Sequence, residues 1–450
     1  MRLSVRAADV GYSYETRRLA RRLVSPMCGL DQGVGFLMRG RLEPRFVVAG
    51  AELTGAYLLA AHAEPASYHI GGTGMTLDEA LIRTLGETVE RYSQVVSAVA
   101  GGHSTLVASH REMQEAGRPT VPADRLRFFT PREYAEPEFP FQPFDEDAPL
   151  TWVRTSSLLD GDAFWAPAQL LIVGYVPRRG AGEPWLLPAV STGTAAHTDE
   201  SLAVRNALLE LIQIDAAMGH WYSAASAPRI AFDRRTRRME RLVDRAFIPG
   251  QPRPAFYWLP SADLPGLAVA CVLEGPPEKV PAVGVGLGID LRLERAMYKA
   301  LLEAVGVAQL AKVTLLNRAV ASDGDVVGID PARIFDLDAN VAYYAQPGRQ
   351  ARLWEKFSPD VQVAASDLPA DCDLDSHGEV SLLLDGFRAA DLRLVWLDLT
   401  TPDVRGLGFV SHRVWSPDTL SLALPSAPPT LHPRFSSYGG ADHRDPHPYP

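Results

Sequence analysis

Three stretches of this chain share one layout, and that layout limits what the chain can fold into more than any other feature. GTGMTLDEALIRTLGET, STGTAAHTDESLAVRNALLELIQ and GVGLGIDLRLERAMYKALLEAVG each open on a loop-like run of small residues, pass into a helix and place a glutamate late in it: Glu87, Glu210 and Glu303. The spacing differs between copies, so the pattern is an internally repeated unit in an α/β chain and not a tandem solenoid.

In the first copy, Thr76 and Glu79 predict a capping box that starts the helix. At about 100° per residue, Leu77, Leu81, Leu85, Thr88 and Tyr92 form its packed arc, with Glu87 and Arg91 at the edge and Glu90 further round. Taken alone, this helix has two readings, a solvated Glu–Arg pair or carboxylates bordering a cleft. The other two copies favour the cleft. NALLELIQIDAAM and KALLEAVGVAQLA are apolar nearly all round, which predicts burial. An isolated carboxylate there is costly unless paired, protonated or metal-bound. Asn206, Glu210 and Gln213 make a polar stripe along one helix, and Lys299 and Glu303 do the same on the other.

Clustered carboxylates, an Arg, a Lys and small-residue loops at helix starts suit a nucleoside triphosphate with Mg2+. The chain has no Gly-x-x-x-x-Gly-Lys-Ser/Thr loop, and GVGLG lacks the Gly-x-Gly-x-x-Gly spacing, so the familiar nucleotide folds are excluded. Lys and Arg number 44 against 54 Asp and Glu, a formal charge of -10. No overall basic field gathers nucleic acid or anionic lipid. Cys28, Cys271 and Cys372 are scattered without Cys-x-x-Cys spacing, against a disulfide framework or structural zinc and in keeping with a cytoplasmic location. RRLARRLVSP has no apolar segment behind it, and no run approaches the ~18 apolar residues of a membrane span. Asp160-Gly161 predicts a hairpin within residues 152–176. Residues 116–150, rich in Pro and charge, read as a long irregular surface connection.

These residues resemble the three nucleotide-binding motifs of the YcaO family. TLGETVER matches the first motif, Ser-x-x-Glu-x-x-Glu-Arg, with Thr84 in place of Ser. Ser191-Thr-Gly with Glu210 matches the second, and Lys299-x-x-x-Glu303 the third. WVRTSSLLDGDAFWAPAQL and RGLGFVSHRVWSPD also resemble the family. The resemblance implies the YcaO α/β fold, with mixed sheets and helices carrying the glutamates. It implies ATP held by Thr84, Glu87, Glu90, Arg91, Ser191, Asn206, Glu210, Gln213, Lys299 and Glu303. Mg2+ would sit on Glu87, Glu90, Glu210 and Glu303, and a peptide amide oxygen would be phosphorylated. The chain departs from the family at Gln213-Ile214, where many members have Glu-Arg, at Lys299 in place of Arg, and at Gly306 in place of Gln. A non-catalytic scaffold subunit is therefore one alternative.

The sequence ends in Pro446-x-Pro448-x-Pro450. By composition this is a stiff, extended and mobile tail whose removal is expected to leave stability nearly unchanged. In the YcaO family a terminal Pro-x-Pro-x-Pro resembles the mark of azoline-forming cyclodehydratases. It implies a catalytic domain over residues 1–435 and a tail, 436–450, that enters the active site. The catalytic set would then be Pro450, Glu87 and Arg91. The substrate implied is a ribosomal precursor peptide whose Cys, Ser or Thr residues become thiazoline or oxazoline. The partners implied are a leader-binding ubiquitin-activating-enzyme-like protein, with residues 1–65 free for partner contacts, and a flavin-dependent azoline dehydrogenase. Thioamide or amidine formation is the other alternative.

Overall fold

The computed structural model describes residues 13–450 apart from 28, 42, 54–67, 101, 250–251, 277–278 and 322–327. Three sheets organise them. The first is antiparallel in the order β1 (Asp31–Phe36), β2 (Val47–Leu53), β3 (Tyr68–Gly74). The second holds β4 (Thr105–Ser109), β5 (Pro149–Ser157), β6 (Ala163–Pro167), β7 (Thr194–His197), β13 (Val395–Asp398) and β14 (Val410–Trp415). Its order is β4-β5-β13-β14-β7, with β6 on β5. The third runs β11 (Val283–Asp290), β10 (Leu267–Glu274), β9 (Ala255–Leu259), β8 (Arg229–Ala231), β12 (Gln362–Ala364).

A long helix follows β3, β7 and β11 in turn: α1 (Leu77–Ala100), α2 (Glu200–Tyr222) and α3 (Leu293–Ala321). The three strands that lead into them are each the terminal strand of their sheet among the described residues. Two of the three small-residue runs are therefore strands and not loops, which corrects the sequence reading. The cause is packing. In β11, Val283, Val285, Leu287 and Ile289 face the core around α2, while Gly284, Gly286 and Gly288 face α3. A Cβ at Gly286 would lie 2.1 Å from the Ala304 nitrogen, and one at Gly72 of β3 would lie 2.4 Å from the Ala80 oxygen. Here glycine buys close helix–strand approach, not a phosphate cradle.

The third sheet is covered on both faces. Strand alternation sends Ala268, Ala270 and Val272 of β10 towards α2, and Leu267, Val269, Cys271 and Leu273 towards α3. By length and mean hydropathy, 1.3, α3 could cross a membrane, yet half of that window is buried inside the protein. That is the signature of a core helix wedged against a sheet.

Other expectations meet the structure piecemeal. Thr76 accepts from the Glu79 N–H at 3.2 Å, while the Glu79 carboxylate takes the Met75 N–H at 2.9 Å, one residue earlier than a strict capping box. The hairpin forms, with Gly161 at φ 83°. The 116–150 segment is irregular, but it is not a surface strap. Phe128, Phe129 and Phe141 are buried with Trp152, and Phe129 stacks on Phe141 at 5.6 Å between centroids. Cys271 and Cys372 are free; Cys28 lies outside the described residues.

Candidate functional site

The glutamates sit where the three helices approach the open strands. Glu87 accepts from the Gly71 N–H of β3 at 3.0 Å and from Arg91 at 3.4 Å. Arg91 also donates to the Gln94 side-chain oxygen at 3.2 Å, and the Gln94 amide reaches the Ser191 carbonyl at 3.5 Å. This chain of bonds ties α1 to the Ser191 loop ahead of β7. On α3, the Leu287 N–H of β11 bonds Glu303. Glu90 and Glu210 lie between these anchors, partly buried.

The electrostatics show that the carboxylates converge. Burial, then Glu210 and Glu87, push the Glu90 carboxyl well above its ordinary range, against the pull of Arg91 and Arg413. Burial, with Glu303 and Glu87, raises Glu210 to about 8 despite Arg91 and Arg413. Burial and Glu87 raise Glu303 to about 8. Burial works against Arg91, but Glu87, Glu90 and Glu210 together raise it. Glu87, Glu90 and Glu210 thus crowd around two guanidiniums, those of Arg91 and Arg413, and Glu303 joins them through its repulsion with Glu87 and Glu210. Arg413 was not foreseen. It is 1% exposed on β14 and bonds the Val190 carbonyl at 2.6 Å, while burial lowers it to about 10. A lone arginine in an apolar strand run carries no signal beyond its type.

Beside this cluster lies a cavity of about 690 Å3, in the size range of small-molecule sites. Asn206, Glu210, Gln213 and Lys299 line it, so the α2 stripe opens into it whole and the α3 stripe through Lys299 without Glu303. Glu210 belongs to cavity and cluster alike. Leu209, Met239, Leu242 and Ile289 give the cavity an apolar wall. Lys299 is held by the Asp290 carboxylate and the Ile289 carbonyl, both at 2.9 Å, and burial lowers its amine against the pull of Asp290. Asp290 also takes Arg205 at 3.2 Å, and Arg205 donates to Asn206 at 3.1 Å and to the buried Glu379. Arg205 and Asp290 were missed because each reads as an ordinary charge at the end of an element.

Thr84, Gly306 and Pro450 do not line the cavity. Thr84 is fully buried under β3, its hydroxyl bonded to the Ala80 carbonyl at 2.9 Å within α1. Gly306 lies against Thr73 of β3, so the small residue fits a contact where a longer one would not. Pro450 ends a tail that packs into the core: His447 and Tyr449 are both 0% exposed. The expectation of a mobile, dispensable tail fails, because the side chains between the prolines are a His and a Tyr that the core takes up.

Hard cations take carboxylate oxygens, and an excess of crowded carboxylates fits Mg2+. Among the described residues no three His, Cys, Asp or Glu close on one point tightly enough to hold an ion alone.

The YcaO cyclodehydratase family, described as ATP and Mg2+-binding, matches residues 71–420. The chain belongs to the YcaO family. Its YcaO fold is shared with solved structures at low identity. A heterocyclase in complex with substrate and cofactor superposes with a TM-score of 0.68 at 18% identity, over 97% of this chain and 57% of that one. The YcaO protein from Methanopyrus kandleri bound with AMPPCP and Mg2+ gives 0.60 at 18%, over 92% and 91%. The E. coli microcin synthetase McbBCD complex gives 0.54 at 14%, over 86% and 88%. The chain spans little more than half of the first heterocyclase. No curated protein matches the chain in sequence.

Proposed function

We propose that this chain is an ATP-dependent cyclodehydratase that closes Cys, Ser or Thr side chains of a ribosomal precursor peptide onto the preceding carbonyl, giving thiazoline or oxazoline. The observation that carries the reading is the crowding of Glu87, Glu90 and Glu210 around Arg91 and Arg413, next to a cavity lined by Lys299, Arg83, Arg205, Arg238 and Arg295, in a member of an ATP and Mg2+-binding family. The peptide thiol or hydroxyl adds to the carbonyl carbon and its proton passes to the new oxygen. That oxygen gives up its proton to a base and attacks the γ-phosphorus of ATP, releasing ADP. Breaking the carbon–oxygen bond then expels phosphate, and loss of the amide proton leaves the C=N of the ring. Without phosphorylation the leaving group would be hydroxide.

Mg2+, held by Glu87, Glu90, Glu210 and Glu303, would supply positive charge against the phosphates. Arg91 and Lys299 steady the same charge, Lys299 by virtue of its tether to Asp290. Asn206, Gln213 and the Ser191 loop give the nucleotide polar contacts, and Thr84 sets the packing of α1 beneath them. The Pro450 carboxylate is the proton acceptor. The precursor peptide is presented by a leader-binding partner, and a flavin dehydrogenase can follow.

One residue favours a second reading. Gln213 lines the cavity where many members carry a glutamate, as a non-catalytic subunit would. MgATP hydrolysis by the chain with its partner separates the two. The azoline reading is tested by adding a few residues after Pro450, which is only partly buried. Ring formation, followed as one water lost per ring from the peptide, should collapse with melting unchanged. Near-normal ring formation would remove the proton-acceptor role of Pro450, and no ring formation by the unaltered chain with its partner would leave thioamide or amidine chemistry as the reading.

A further inference from the structure

A short helix grips the end of the chain. In α4 (Leu337–Ala345), Asn340 and Tyr344 stand one turn apart and so share a face. The Asn340 side-chain amide donates to the His447 carbonyl at 2.8 Å and to the Tyr449 carbonyl at 2.7 Å. The Tyr344 hydroxyl donates to the Pro446 carbonyl at 2.6 Å. Upstream, the Trp221 indole donates to the Asp445 carbonyl at 2.9 Å. Four of the last six residues thus have their carbonyl oxygens taken by side chains.

The tail's composition makes this grip necessary. Pro446, Pro448 and Pro450 have no N–H, so carbonyls are most of what the backbone offers to hold. The side chains add their own bonds. His447 donates from Nε2 to the Ala423 carbonyl at 2.8 Å and accepts the Tyr449 N–H at Nδ1, at 3.3 Å, a neutral tautomer in keeping with burial that lowers it to about 4. Tyr449 stacks on His447 at 5.7 Å and meets Trp221 edge-on.

The gripping helix is tied to the glutamates. Ala339 and Ala342 of α4 pack in one cluster with Val307 and Ala311 of α3, one and two turns beyond Glu303. A buried Asn with two donated bonds is an expensive way to hold a tail that packing alone could cover, since its own carbonyl oxygen has no partner among the described residues. What the polar grip adds over packing is register: bonds to named carbonyls prevent the tail from sliding along its axis.

Resting on the cyclodehydratase reading, we propose that Asn340 and Tyr344 are positioning residues that set how far the Pro450 carboxylate projects. Neither is among the residues that line the cavity. Because a misplacement of ~1 Å can cost about a hundredfold in rate, loosening the grip should act on turnover and not on nucleotide affinity.

The test compares Tyr344→Phe, Asn340→Leu and a chain lengthened after Pro450, each as the full chain. In the two α4 variants, hydrogen exchange at the His447 and Tyr449 amides should quicken about tenfold or more. With the leader-binding partner and a Cys-, Ser- and Thr-containing precursor peptide, kcat for ring formation should fall by a similar factor while KM for MgATP stays unchanged. Unchanged exchange and unchanged kcat would overturn the positioning role, as would a parallel rise in KM for ATP, which marks general damage. If Asn340→Leu fails to fold, Tyr344→Phe, which keeps the ring, decides. Loss of rings in the lengthened chain with none in the α4 variants defeats this inference alone. Full ring formation in the lengthened chain defeats the role of the Pro450 carboxylate and this inference with it, whereas no ring formation by the unaltered chain with its partner defeats the cyclodehydratase reading.

Discussion

Glu210 and Asp215 lie on the same helix, five residues apart, and solve burial in opposite ways. Asp215 is 0% exposed, yet its oxygens receive Arg434 at 2.7 and 3.0 Å, the Tyr438 hydroxyl at 2.8 Å and the Leu420 N–H at 2.8 Å. Glu210 is less buried, but it shares Arg91 and Arg413 with other carboxylates and is raised to about 8. Burial depth therefore does not distinguish a structural acid from a functional one. What does is whether the fold supplies a full complement of donors or leaves room for a cation to arrive.

The largest expected effect follows from the incomplete side of that pair. Glu210→Gln should cut MgATP hydrolysis by about a hundredfold or more, the scale of losing one electrostatic contact in a preorganised site. The folded protein should melt no earlier, because Gln matches in size a carboxyl that burial already keeps largely protonated near neutral pH. Early melting with retained hydrolysis would make Glu210 another Asp215. The reverse substitution sharpens the contrast. Asp215→Asn leaves Arg434 buried beside only the half-exposed Asp263, and should cost about 3–5 kcal/mol in chemical denaturation. Hydrolysis per folded molecule should survive.

A smaller effect separates the two acids by pH. Glu210 and Glu303 are raised from 4.5 to about 8, so the folded chain binds more protons than the unfolded one between those values. Their contribution to stability is full below about 4.5 and is lost as pH rises towards 8. Melting without nucleotide should weaken across that window, and MgATP binding near neutral pH should release protons, read by calorimetry in buffers of different ionisation enthalpy. Binding without proton release would mean that the cation does not meet these carboxylates.

The smallest effect belongs to Thr84. Its hydroxyl is spent on the Ala80 carbonyl, so Thr84→Ser should cost about 1 kcal/mol for the lost methyl and leave KM for ATP unchanged. A change in KM would place that side chain nearer the nucleotide than its bond implies.

The sequence made the polar stripes legible because helix period converts spacing into a shared face: Asn206, Glu210, Gln213 and Lys299 do line one cavity. The packed arc of α1 was legible for the same reason, and Leu81, Leu85, Thr88 and Tyr92 are buried. What escaped depends on contacts between distant segments. Glycine disfavours strands in isolation, so the β11 run reads as a loop until α3 is laid against it. Arg413 meets the glutamates only through sheet pairing of β14 with β7. Composition misjudged the tail because proline suggests exposure, while the His and Tyr between the prolines decide burial.

The alternation of valine and glycine along β11 also governs how this chain can change. On most of its surface a substitution perturbs only its neighbours. At Gly284, Gly286 and Gly288, where a Cβ would come within 2.8 Å of the α3 backbone, even one methyl group must push a 29-residue helix off its sheet. Glu303 and the core that seats α4 ride on that helix, so mutational libraries at these three positions would report on the site without touching it. At these positions laboratory evolution has little freedom to wander.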